Sequence, residues 1–93
     1  MTDSQKSAAE FRKASWDDAA VYELLPAVDR IIGDWEDGQG RAFISTELPV
    51  ALSTSRNGEL LAGAFAAWKK SESGNMPVSV YGGDGKLIHT GTF

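Results

Sequence analysis

The chain has no cysteine, a single histidine (His89) and three prolines among its 93 residues. Without cysteine there is no disulfide, no thiolate zinc site and no cysteine nucleophile. That composition suits a reducing compartment, and a cytoplasmic location is expected. No apolar run approaches the roughly 20 residues of a membrane helix, so no membrane association is expected. The opening stretch "MTDSQKSAAEFRKAS" holds no apolar core of signal-peptide length. No internal repeat is present beyond the short match of "SWDD" to "DWED". A basic footprint is missing too. The net charge is −4, and direct binding to DNA or RNA phosphates is therefore not expected.

What is present fits one small folded domain spanning 1–93. Hydrophobic residues make up 42% and charged residues 24%, the balance of a globular chain rather than a disordered one. At this length about 60–65% of the unfolded surface can be buried, enough for one modest core.

The acidity is concentrated. Residues 15–37 hold Asp17, Asp18, Glu23, Asp29, Asp34, Glu36 and Asp37 against Arg30 alone, a net −6, whereas residues 41–93 sum to +1. Opposite fields steer encounter, so a partner with a basic surface is favoured.

Two parts of that segment set a tryptophan among carboxylates: "SWDD" at 15–18 and "DWED" at 34–37. Ser15 fits a helix N-cap, and Asp17 and Asp18 follow where the helix dipole favours negative charge. Val21, Leu24, Val28, Ile31 and Trp35 then recur in steps of three and four, widened by Leu25 and Ile32. That spacing predicts an amphipathic helix. Pro26 predicts a kink or a restart within it, and Gly38 its end. On this reading Trp35 turns inward with the stripe. Trp16 is the candidate exposed anchor. Asp34, Glu36 and Asp37 crowd a helix C-terminus, which the dipole disfavours by a few tenths of a kcal/mol each.

Elsewhere the pattern is plainer. Residues 4–14 make either a short helix with a thin apolar face (Ala8, Ala9, Phe11, Ala14) or a frayed leader. Residues 41–55 are strand-like, and Pro49 there implies an edge position, a bulge or two short strands around "ELP". Leu60, Leu61, Ala64, Phe65 and Trp68 share one helical face, which predicts a helix over 58–71 and places Trp68 in the core. The "NG" at 57–58 offers a strand in a continuous meander as the alternative. Residues 75–93 predict a hairpin, with strands 77–81 and 86–91 around "GGDG", Val78 and Val80 on one face, and Leu87 and His89 opposite Ile88. The expected fold is α+β: one or two N-terminal helices, acidic and kinked at Pro26, packed on an antiparallel sheet of three to four strands, with a further helix at 58–71.

Catalytic and ligand motifs fail on their spacing. A calcium loop starting at Asp34 would put Gly38 at its fifth ligand position and Ser45 where the twelfth needs glutamate. A phosphate loop ending at Gly85–Lys86 would need glycine at Val80 and a hydroxyl at Leu87. No serine sits in a G-x-S-x-G elbow to partner His89. The carboxylates gather on one segment instead of flanking a substrate as a glycosidase pair does. No metal site and no cofactor are expected.

The expectation is a non-enzymatic protein-binding module. It would use Trp16, Asp17, Asp18, Glu23, Asp29, Asp34, Glu36 and Asp37 against a basic, nucleic-acid-binding surface of another protein. Small phage-encoded inhibitors of bacterial defence, anti-CRISPR proteins among them, work by presenting carboxylates where phosphates would sit. That comparison is carried by size and charge, with no shared motif. The alternative is an assembly subunit that self-associates, as a homodimer for instance, through a sheet edge near Pro49 or the strand ending "HTGTF". A small enzyme using His89 ranks third.

Overall fold

The structure, a computed structural model, describes residues 2–93. In chain order it contains helix α1 (Asp3–Ala14), strand β1 (Val28–Ile32), strand β2 (Ala42–Thr46), helix α2 (Ser55–Trp68), strand β3 (Pro77–Tyr81) and strand β4 (Leu87–Thr92). Single turns of 3-10 helix occupy Leu25–Ala27, Trp35–Asp37 and Val50–Leu52. The fold is α+β, with two helices and one open four-stranded sheet in the order β1-β2-β3-β4. The sheet is mixed, not antiparallel throughout: β2 and β3 run parallel. Helix α2 lies between them in sequence, and a parallel pair requires a crossover of that length.

The α1 segment is a helix with a defined start. Thr2 Oγ1 accepts the N–H of Gln5, and the Gln5 side chain accepts the N–H of Thr2. This reciprocal box satisfies two otherwise orphaned donors. Ala8 and Phe11 are fully buried. Arg12 Nη1 donates to the Val28 carbonyl at 2.6 Å, docking α1 on the outer strand β1.

The kinked acidic helix expected over 15–38 does not form. Ser15 ends α1, donating its N–H to the Phe11 carbonyl. Residues 15–24 continue as successive turns, with N–H donation from Asp18 to Ser15, Val21 to Asp18 and Leu24 to Val21. Pro26 enters a single 3-10 turn, and β1 follows at once. Every residue of the predicted stripe is nonetheless buried: Val21, Leu24, Val28, Ile31 and Trp35. The physical reason lies in β1. Its register slips between Val28, opposite Thr46, and Arg30, opposite Ser45. The extra residue of that bulge, Asp29, lets Val28 and Ile31 face the core although they are three positions apart. A bulged strand therefore imitates a helical step. Ile32, which widened the supposed stripe, points outward and is exposed.

Strand β4 deviates for the same reason. His89 pairs with Val80 and Leu87 with Tyr81, so Ile88 is the extra residue. Leu87 is exposed, Ile88 packs on the core, and the predicted grouping of Leu87 with His89 is lost. Strand β2 ends at Thr46, and Pro49 precedes the 3-10 turn Val50–Leu52 outside any strand. None of the strand positions predicted for Pro49 applies, because β2 is an inner strand that stops before it.

The other predicted elements hold. Helix α2 begins three residues earlier than expected because Thr54 caps it, accepting the Asn57 N–H at 3.1 Å, and it ends at Trp68 and not at 71 because Lys69 is already extended. The hairpin of β3 and β4 occupies the predicted segments. One sheet face (Val28, Ile31, Ala42, Ile44, Val78, Val80) is buried in the core. On the opposite face Ile32 and Leu87 are exposed, and the Phe43 and Tyr81 rings lie 6.4 Å apart.

Aromatic rings close the core. Phe65 lies 6.2 Å from Phe11, 5.3 Å from Trp35, 5.9 Å from Trp68 and 5.0 Å from Phe93, centroid to centroid. Buried Ser71 donates to the Phe93 carbonyl and accepts the Gly74 N–H, fixing the loop after α2 against Phe93.

Phe65→Ala should cost about 3–5 kcal/mol in urea denaturation, out of a total of about 5–14 kcal/mol for a domain of this length. A second expectation contrasts two glycines of α2. A methyl at Gly58 would lie 2.6 Å from His89 Cβ, whereas Gly63 has nothing within 4 Å of that position. Gly63→Ala should stabilise by about 0.5–1 kcal/mol. Gly58→Ala should instead destabilise by about 1–3 kcal/mol through overpacking. Thermal melts of the two variants give the signs.

Candidate functional site

The turns of 15–24 are held from below by Val21 and Leu24, both buried. That anchoring turns Trp16 and Tyr22 outward, 56% and 47% exposed. Their rings meet edge to face, with centroids 4.9 Å apart and planes at 66°. Across from them stand Leu52, 46% exposed, and Asn57 in the first turn of α2. Asn57 Nδ2 donates to the Leu52 carbonyl at 2.9 Å and steadies that wall. Trp16, Asp17, Tyr22, Glu23, Leu52 and Asn57 line a cleft of about 590 Å³.

The electrostatics of the cleft are one-sided. Asp17 and Glu23 are exposed on its rim. The only ion pair among the described residues is Arg30 with Asp29, at 3.6 Å, so neither rim carboxylate has a described cation within bonding reach. Asp18 lines a separate depression with Ser15, Ala64 and Trp68 and is partly committed to the loop, since its Oδ1 accepts the Ala20 N–H at 3.0 Å.

The second tryptophan–acid knot is built differently. Trp35 is buried against Phe65 and Trp68, as the stripe predicted. In a single 3-10 turn, a tryptophan committed inward leaves its neighbours outward, and Asp34, Glu36 and Asp37 are exposed. Gly33 makes the corner possible. Its φ is +108°, and a Cβ there would lie 2.2 Å from the Arg41 carbonyl oxygen. Asp37 Oδ1 accepts the Gln39 N–H at 2.8 Å. No α-helix ends here, so the expected conflict with a helix dipole does not arise. Asp34, Glu36 and Asp37 border a shallow depression together with Asp3, and Glu36 also faces Lys6 and Lys69 across a polar groove.

The structure thus brings Trp16, Asp17 and Glu23 together, while Asp18 faces a separate depression toward Trp68. It sets Asp34, Glu36 and Asp37 near the opposite end of α1, about 18 Å away by the rise of a 12-residue helix. Asp29 sits apart on the β1 bulge, paired with Arg30. There is no single acidic helix face. Tyr22 and Leu52 were not singled out by sequence. Tyr22 carried a weak signal, an aromatic residue off the apolar stripe and next to Glu23. Leu52 carried none, because only the fold brings the Val50–Leu52 turn beside the loop.

His89 lines neither the cleft nor the acidic corner; its side chain is flanked by Gly58 and Gly91 under α2. Among the described residues, no three of His, Asp and Glu gather as a metal-ligating group. No helix among the described residues is long and apolar enough to cross a membrane. Comparison with protein-family models, with curated proteins and with solved structures finds no match for this chain.

Trp16→Ala should change stability by less than about 1 kcal/mol, while Trp35→Ala should cost about 3–5 kcal/mol. Acrylamide quenching of tryptophan emission should lose its readily quenched component in the Trp16 variant.

Proposed function

We propose that this chain is a non-enzymatic protein-binding module, a small acidic inhibitor that engages the basic, nucleic-acid-binding surface of a partner protein. One observation carries the reading: an aromatic pair is held half-exposed on an anchored loop, beside carboxylates with no described internal cation. Large aromatics near a rim of charge are the usual composition of a binding hot spot. The carboxylates steer approach and reject acidic surfaces, while the aromatics supply the contact area. Phage-encoded inhibitors of bacterial defence offer the functional analogy, on size and charge. With the acids split between two ends of α1, charge is imitated at two points and not along one continuous track.

A second reading is self-association through β4. It is favoured by the position of β4 at an edge of the sheet. Both edge strands carry a bulge, and the opposite edge, β1, is further blunted by Arg12 on the Val28 carbonyl. Sedimentation at micromolar concentration tests this reading, and a strict monomer removes it.

For the main reading, affinity purification of the tagged protein from its native cell identifies the partner, and calorimetry then measures affinity against salt. Between 50 and 300 mM salt the affinity should fall by about tenfold or more, as screening of exposed charge requires. Nucleic acid should compete for the same surface. A flat salt response, or unchanged binding by an Asp17→Asn/Asp18→Asn/Glu23→Gln variant, would remove the proposal.

A further inference from the structure

We infer that the Trp16–Tyr22 corner is a subsite for one cationic side chain, the lysine or arginine of a protein partner, with its aliphatic stem laid on Leu52. The inference deepens the reading above and rests on its premise of a basic partner.

The two rings are neither stacked nor buried. At 66° they form two walls of a corner, and both residues are about half exposed. Aromatic faces attract cations within about 6 Å of the ring centroid. The protein already uses this contact internally: Lys69 Nζ sits 4.8 Å from the Trp68 ring centroid, and Arg41 Cζ sits 5.7 Å from that of Phe43. Trp16 and Tyr22, with more exposed rings, receive no cation from the described residues.

The surroundings select the same ligand. Asp17 and Glu23 on the rim supply counter-charge and would repel a phosphate or an acidic peptide. Leu24 and Leu52 give an apolar floor for a methylene stem, which lysine and arginine bury while their heads stay polar. Asn57 donates through Nδ2 to the Leu52 carbonyl, and its Oδ1 is the side chain's acceptor for an N–H from the ligand. A cleft of about 590 Å³ admits such a side chain with its flanking backbone.

The test is a titration of the isotope-labelled protein, followed by NMR, with three tripeptides: acetyl-glycyl-arginyl-glycinamide, its lysine counterpart and its uncharged norleucine counterpart. The cationic peptides should shift the Trp16 indole and Tyr22 signals saturably, with about three- to thirtyfold higher affinity than the norleucine peptide. The Leu52 and Asn57 signals should saturate likewise; a Trp16→Ala/Tyr22→Ala variant should lose their saturation while the signals of Phe65 and Trp35 stay in place, and Trp16→Phe should keep it. Equal response to norleucine, shifts that do not saturate, or shifts centred on Asp34–Asp37 would overturn the subsite. The captured partner separates the two levels. Salt-dependent binding indifferent to Trp16→Ala/Tyr22→Ala overturns the subsite and keeps the basic-partner reading. Salt-independent binding to the partner, with the peptides still filling the corner, keeps the subsite and removes that reading.

Discussion

Phe65 is where the separate parts of the chain meet. Its ring contacts one aromatic ring from α1, one from the 35–37 turn, one from its own helix and Phe93 beyond β4. These segments are distant in sequence, and α1 and α2 otherwise touch little. Burial of apolar area is the dominant favourable term in folding, and the aromatic rings concentrate a large share of it in one place. The other features follow from where those rings must go. With Trp35 drawn to Phe65, the chain between β1 and β2 has to bend sharply. That bend needs Gly33 at positive φ, and it turns three carboxylates toward solvent.

The same logic produces the cleft. Val21 and Leu24 are committed to the core, so the short turns carrying them have no freedom to tuck Trp16 and Tyr22 inside. Exposed aromatic surface leaves unfavourable contact with water in place, about 25 cal/mol for each Å². Two such rings packed on each other relieve part of it, and a partner would relieve the rest. Charge adds direction: the acids nearest the rings have no described counter-ion, while Asp29, the acid ion-paired among the described residues, stands elsewhere on a bulge. Display and anchoring are thus two consequences of one packing arrangement.

Much of the fold was legible because its signals are local. Alanine and leucine at helical spacing marked α2, and "GGDG" between β-branched runs marked the last hairpin. The balance of inward and outward residues placed Trp35 in the core and Trp16 outside. The acidic helix was misread for a specific physical reason. Periodicity reports which residues face the core, and here it did so for every stripe residue but Ile32; it does not report the backbone that carries them. A bulge at Asp29 converts the two-residue period of a strand into a step of three, and turns ahead of Pro26 supply the remaining spacing. The bulge at Ile88 misdirected the reading of β4 in the same manner.

The sequence by itself determined the α+β class, the inward and outward sorting of most side chains and the concentration of charge between residues 15 and 37. Each of these depends on residue type and near neighbours, and burial energetics act on them directly. Only the tertiary structure decided that β2 and β3 run parallel, that the acids divide between the two ends of α1, and that Leu52 and Asn57 close a cleft over Trp16 and Tyr22. Those outcomes depend on which distant segments share the ring cluster around Phe65. Contact between remote parts of a chain is set by packing as a whole, and no local window of residues contains it.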